Sequence, residues 1–586
     1  MRQSTPKAPR LSWQYARLMA PYWHSARKWK VRSAIAILIA LTLCQVGLAI
    51  WASYWHRGLF DALEARSLDD LLIQSGTFVL ILALTMLVTA LHLHVKRWLQ
   101  LDWRSWLTEI LLDNWLQRGH HYQLQYTPGE HDNPDGRIAE DIRIATESAI
   151  GLVHSLLYSL LILGSFIDIL QSVSGSLNIP GTDILVPGYL VILAFLYAGA
   201  GTVLGLLLGR PLTRATNWLQ TVEANLRFGL ARARENSEPI ALMRGEVIEH
   251  HHASSLFRDV GRGWNRQTLG YMGIVTFSAG YGVLLPVFPI LVAAPQYIAG
   301  AMTLGVLMQA AQAFQRLTSA LSWPIDNLGE LAKCRASFDR VATLYRDMLQ
   351  LEELANQPIE HRIVLQHGRA SELVLKDLCL ATPDGEVLVE NLNVTIRRGE
   401  RILITGDPAV TISLFKAVAG LWPWGNGAIL LPDDVSIMFL PQRPFLPDGT
   451  LRNALTYPRA SSHYSTSAIH HALECAGVAW LSPRLEESDK WDRNLPLRAQ
   501  QRLGIARLFL HSPAWVFIEE ATDAFDPKGE DCMLEMMHRE LPNTTQLTIS
   551  FHSDLDHHYS RKLILNRQTE PRILACATDR CQLRKQ

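Results

Sequence analysis

The chain is short of charge imbalance, of paired cysteines and, in places, of charge of one sign. Lysine plus arginine and aspartate plus glutamate both number 55, which excludes a global pull toward nucleic acid or an acidic partner. The seven cysteines (Cys44, Cys334, Cys379, Cys475, Cys532, Cys576, Cys581) include no C-x-x-C pair, and Cys576 and Cys581 have the wrong spacing for a zinc site. They read as reduced, structural thiols, as in a domain facing a reducing cytoplasm. Internal repeats and low-complexity tracts are absent. Residues 1–32 contain no acid at all, while Arg2, Lys7, Arg10, Arg17, Arg27, Lys28, Lys30 and Arg32 stand there. Segments 171–187 and 295–299 have neither lysine nor arginine.

What is present is a divided composition. A bilayer core takes about 20 apolar residues per helix, and six stretches of the first half qualify: 33–54, 71–95, 149–170, 188–208, 270–294 and 300–323. The first is too long for a removable signal peptide and reads as a signal anchor. Connections 96–148 and 209–269 are long, helical in pattern and rich in arginine, including Arg104, Arg137, Arg143, Arg227, Arg232 and Arg234. This asymmetry predicts that both termini and both long connections are cytoplasmic. Trp51, Trp55, Trp98 and Trp103 fall near span ends, as an interfacial belt would. Asp168, with His92 and His94, is the ionisable group to weigh within the spans, either as a transport residue or as a hydrated group at the interface. Glu249-His250-His251-His252 looks metal-like, but neighbouring helical positions diverge by about 100°, which favours a solvated face.

The second half has the pattern of a soluble α/β domain. After the strand Ile402-Leu403-Ile404 comes a segment matching G-x-x-x-x-G-K-[ST] at Gly406 and Ser413, with Thr411 for the second glycine and Ile412 for the lysine. That pattern is a phosphate-binding loop, in which glycines admit the phosphates to backbone N–H groups and lysine reaches the β/γ-phosphates. Lys416 stands four residues on, one helical turn away, and is no substitute. Downstream, Gln442 follows a strand, and Leu495-Pro496-Leu497-Arg498-Ala499 opens a helix. Trp515–Ile518 then runs into Glu519, Glu520 and Asp526, and His552 ends another apolar strand.

With these motifs on the page, the chain resembles an ABC transporter half over nearly its whole length. Within that superfamily it is similar to the YddA, SbmA/BacA-related and peroxisomal fatty-acyl half-transporter branch. The narrower match rests on Asn133-Pro134-Asp135-Gly136-Arg137-Ile138-Ala139-Glu140-Asp141, Ala419–Gly425 and Leu440-Pro441-Gln442-Arg443-Pro444. The resemblance implies six transmembrane helices (1–345), a linker (346–370) and an α/β P-loop-type nucleotide-binding domain (371–586). It implies ATP and Mg2+ as cofactors. Gly406, Thr411, Ser413, Gln442, Glu519 and Asp526 would lie at the nucleotide, with Ser413 and Gln442 at Mg2+. Glu520 would be the catalytic carboxylate and His552 the switch histidine. Asn133, Asp135, Arg137, Glu140 and Asp141 would lie in the coupling segment.

Departures from the family pattern predict weakened ATP binding and hydrolysis. The lysine is missing, the L-S-x-G-E signature has lost its serine and glycine, Glu519 replaces an aspartate, and 377–386 holds no aromatic to stack adenine. A multi-pass dimer in the cell (inner) membrane is expected, as a homodimer or with an intact ABC protomer. It would move a small solute, peptide or cofactor and bind no nucleic acid. The alternative is an ion-gradient-driven, SbmA/BacA-like transporter whose nucleotide domain is vestigial or regulatory.

Overall fold

The computed structural model describes residues 21–24, 27–126, 133–178, 185–355, 362–368, 372–433, 436–551, 553–567 and 572–575. The chain divides into two compact units, Met1–Glu109 with Asp135–Ala342, and Ile110–Pro134 with Thr343–Gln586.

The first unit is helical. Its long helices are α1 (Lys28–Glu64), α2 (Leu68–Leu116), α3 (Ile142–Ser174), α4 (Tyr189–Glu235) and α5 (Glu246–Ile298). All five are long and apolar enough to cross a membrane, and all run well past a bilayer core of about 30 Å. The arginine-rich connections are therefore mostly helix. α2 continues to Leu116, and α4 and α5 are joined through the short helix Ser237–Leu242. α4 and α5 run side by side, with Tyr197 stacked on Tyr281 at 4.4 Å and the Arg266 guanidinium 4.8 Å from the Trp218 ring.

The sixth expected span forms as α6 (Leu304–Leu321), only 18 residues long and capped by the Thr303 hydroxyl. It carries Gln309, Gln312, Gln315 and Arg316, and it is not among the helices apolar enough to qualify as a span. Phe314 and Leu317 are fully buried in a core with Phe166, Leu170 and Leu190, and Gln309 is buried on the same helix, whereas Arg316 is exposed. α7 (Leu328–Ala355) follows. Asp168 is exposed on α3, and His250–His252 are exposed on α5.

The second unit holds two larger sheets and one two-stranded antiparallel pair, Gly449–Thr450 with Ser488–Asp489. The first has the order β1 (Ile363–Gly368), β5 (Gly425–Pro432), β2 (Leu373–Ala381), β3 (Val387–Ile396). The second has the order β10 (Arg572–Ala575), β9 (Arg561–Leu565), β4 (Arg401–Gly406), β8 (Thr545–Ile549), β7 (Trp515–Glu519), β6 (Ile437–Leu440). Only β10 is antiparallel there. The continuous apolar runs in β4 and β7 are what a parallel strand covered on both faces requires. α7 reaches Ala355 and β1 spans 363–368, so parts of the expected 346–370 linker carry regular structure.

Between the sheets, α8 (Pro408–Val418) follows β4. A helical insert including α9 (Thr466–Cys475) and α10 (Leu497–His511) has its own core of Leu451, Leu473, Trp491 and Leu503. α11 (Pro527–Glu540) follows β7.

Candidate nucleotide site and the segment beside it

Register places the candidate residues together. Ile404 pairs with Ile549, Ile549 with Glu519, and Ile518 with Leu440, so four parallel strands end level with one another. Gly406, Gln442, Glu519, Glu520 and Ser550 all leave that carboxyl edge, where open α/β sheets place their ligands. Gly406 has φ +129, and a Cβ there would meet the Leu565 carbonyl oxygen at 1.9 Å, so only glycine fits.

The loop after Gly406 departs from the expected form. The sequence pattern predicts a turn running to about 411 and then a helix. α8 instead begins at Pro408, with Asp407 as its N-cap. The Asp407 carboxylate accepts from the Ala409 N–H at 2.8 Å, and its carbonyl accepts from the Val410 and Thr411 N–H groups at 3.1 Å. Arg567 Nε holds the same carboxylate at 3.1 Å. Aspartate before proline is a strong helix-start pair, and it takes the N–H groups that a phosphate-cradling loop would leave open. Thr411 is fully buried, its hydroxyl donating to the Asp407 and Pro408 carbonyls, and Ser413 is buried too.

The other strand ends are tied by side chains. Gln442 Nε2 donates to Glu520 Oε2 at 3.2 Å and to Asp523 Oδ2 at 3.0 Å. Glu520 adopts φ +46, a left-handed conformation uncommon for a side-chain-bearing residue. Gln501 on α10 is completely buried between these loops. It donates to the Gln442 carbonyl at 3.0 Å and to the Glu520 carbonyl at 3.5 Å, and it accepts from the Ala524 N–H at 3.2 Å. Burial raises the Glu519 carboxyl above the usual glutamate range, and Lys416 opposes that shift. Asp526 pairs with Arg498 at 2.7 Å, and its carboxyl is held low by its own backbone N–H and by Arg498. Arg498 stands at the signature glycine position, and α10 has no side-chain N-cap because Pro496 replaces the serine. His552 lies outside the described residues.

Residues 18–282 match the family described as ABC transporter transmembrane region 2. The chain is 28% identical over 545 residues to the inner membrane ABC transporter ATP-binding protein YddA of Escherichia coli, covering 92% of this chain and 94% of that one. It is 24% identical over 563 residues to human ATP-binding cassette sub-family D member 3, covering 89% and 82%.

This chain is an ABC transporter. Its membrane domain and its ATP-binding-cassette domain are fused in one polypeptide. A bacterial Atm1-family ABC exporter, solved with ATP bound, superimposes with a TM-score of 0.66 at 17% identity, over 92% of this chain and 95% of that one. That likeness gives the transporter its exporter fold. ABC transporters related to it use ATP and Mg2+. The named relatives are ATP-binding proteins, so the gradient-driven alternative gains no support from them.

Segment 133–141, for which the family resemblance implies a coupling role, divides by burial. Asn133, Asp135 and Glu140 are exposed, whereas Arg137 and Asp141 are buried. Arg340 Nε donates to Asp141 Oδ2 at 2.7 Å, and Ser337 Oγ donates to Oδ1 at 3.0 Å, fixing the start of α3 to α7.

Sequence reasoning missed the surroundings of Lys416. Its ammonium lies 5.5, 5.9 and 5.7 Å from the ring centroids of Tyr122, Tyr126 and Trp422. The two tyrosine hydroxyls are 2.8 Å apart, and Tyr126 sits edge-on to Trp422 and Trp424. Segment 117–126, continuous with α2, is thereby fastened to the helix that follows Gly406. The sequence signal was the aromatic pair four residues apart, which meets across one turn of helix.

Proposed function

We propose that this chain is one half of a dimeric transporter of the inner membrane, with cytoplasmic termini and weakened nucleotide binding and hydrolysis. The observation that carries the weakened reading is Asp407. A carboxylate caps α8 where the family binds phosphate, and no lysine stands at position 412 to offset it. The residues present do not fit a triphosphate, so no catalytic step is drawn through one.

Two of these halves would make two composite sites, each pairing one P-loop region with the partner's signature region. In a homodimer both sites carry both departures. With an intact ABC protomer, one site lacks the lysine and the other lacks the signature serine and glycine. The inner-membrane placement is supported by the YddA likeness, and the orientation by the arginine-rich connections.

The test is ATP turnover by the purified full chain in lipid nanodiscs, with its mass measured by light scattering. A dimer with turnover far below one per second is expected. Turnover of several per second that Glu520→Gln abolishes would overturn the weakened reading.

A further inference from the structure

In the second unit, Asp531 on α11 meets two consecutive histidines, His557 and His558, and none of the three belongs to the candidate nucleotide site. The histidines end the 3-10 helix Ser553–His558, which lies between β8 and β9. Asp531 Oδ1 stands 3.0 Å from His558 Nε2 and 3.5 Å from His557 Nε2. The two imidazole rings have centroids 4.0 Å apart, so both nitrogens converge on one carboxylate oxygen. Packed elements carry all three groups. Met533, Leu534 and Met537 of α11 share one buried core with Leu555 and Tyr559, which flank the histidines. Lys562 Nζ on β9 donates to Asp556 Oδ1 at 2.7 Å and ties down the turn. Ligands held on such elements keep their geometry before an ion arrives.

A histidine–aspartate hydrogen bond explains only part of this arrangement. His558 makes one at 3.0 Å, whereas the 3.5 Å separation of His557 is long for a hydrogen bond. Ligands of a single metal ion stand at such separations. Tetrahedral zinc holds nitrogen and oxygen ligands about 2.0–2.2 Å away, which sets neighbouring ligand atoms about 3.3–3.6 Å apart. All three ligand atoms lie within 4.8 Å of one another, and the exposed His557 ring can close the remaining gap by rotation. Charge agrees with this. Among the described residues no lysine or arginine pairs with Asp531, which leaves the two imidazoles as its ion-pair partners. A third imidazole, His538, lies two turns along α11 on the same face, its ring 5.7 Å from His558. Its buried Nε2 makes no hydrogen bond among the described residues. Two imidazoles and one carboxylate favour zinc, nickel or copper over magnesium and calcium, which take oxygen ligands.

We propose that Asp531, His557 and His558 form a binding site for a divalent transition-metal ion of the zinc class, with water as its fourth ligand. The bound ion cross-links α11 to the turn between β8 and β9, so the order of that turn depends on metal. The site stands independently of nucleotide turnover and of transport.

The full chain, purified on a tag without histidine, is studied in nanodiscs without nucleotide. Zinc is titrated against a fluorescent zinc chelator, and hydrogen exchange is followed with and without the ion. Wild type is expected to bind zinc in the micromolar range and to gain protection at 553–560. Loss of an outer partner at a metal site weakens affinity about ten- to a hundredfold. His557→Gln removes a ligand itself, so it should weaken zinc at this site at least as much and abolish the protection. Because His557 is exposed, this variant should unfold at the wild-type temperature in chelator, which separates lost metal from misfolding. His558→Gln and Asp531→Asn should act alike, and His250→Gln, on α5, should leave the protection intact. Zinc uptake that persists in His557→Gln while 553–560 stay unprotected belongs to other histidines and supports the assignment. Unchanged protection in His557→Gln, equal protection by magnesium, or no zinc-dependent protection in wild type overturns the proposal.

Discussion

Arg567 Nε lies 3.1 Å from Asp407 Oδ2, while the carboxylate also caps α8 through the Ala409 N–H. The pair closes the end of β4 with the protein's own anion and its own cation. A helix N-terminus favours negative charge, and here that preference is satisfied from within the chain.

Replacing the internal anion should therefore open the site. Asp407→Asn keeps the cap, since asparagine caps as well as aspartate, but removes the charge facing an incoming phosphate. Ile412→Lys adds the missing cation. Each is expected to tighten binding of a fluorescent ATP analogue with Mg2+, and together by about ten- to a hundredfold. An unchanged affinity in the double variant would mean that the cradle is closed by backbone geometry alone.

Gln501→Ala should loosen three loops at once. It strands buried partners at Gln442, Glu520 and Ala524, at a cost of about 1–3 kcal/mol. Hydrogen exchange should rise at 440–444 and 520–526 and stay unchanged in the α9 region. Uniform loosening of the whole domain would point instead to a general packing loss.

The fold was far more legible than the site. Apolar runs in β4 and β7 and helical patterns across 96–148 and 209–269 translate directly into the observed elements, because burial on both faces or on one stripe imposes a readable period. α8 was misplaced at its start. The family pattern at Gly406 suggested an open loop, while the adjacent Asp407-Pro408 carried a local cap signal that wins in the fold. Gln501 reads as one more polar residue on a helix, and only the meeting of three loops gives it a role. Lys416 depends on Tyr122 and Tyr126, far upstream, whose four-residue spacing signals that the two rings meet but not which cation lies against them.

Lys416 and Tyr122 should be energetically coupled. A cation over a ring contributes about 0.5–2 kcal/mol, and a double-mutant cycle of Lys416→Met with Tyr122→Leu isolates it. Coupling of about 1 kcal/mol is expected from thermal unfolding of the full chain. Additive effects would show that Lys416 is merely adjacent.

Glu519 gives a pH signature with a defined sign. Its folded carboxyl titrates above the ordinary glutamate value because of burial, so folding binds its proton more tightly than the unfolded chain does. The site is unstrained below the ordinary glutamate value, and stability is lost as pH rises through the raised value. Glu519→Gln should therefore raise the unfolding temperature at neutral pH and flatten its decline between pH 4.5 and neutrality. Lys416→Met should steepen the decline, since it removes the charge that opposes the shift. Scanning fluorimetry across that window measures both, and a wild-type midpoint that climbs with pH while Glu519→Gln leaves the slope unchanged would refute the burial of this acid as its cause.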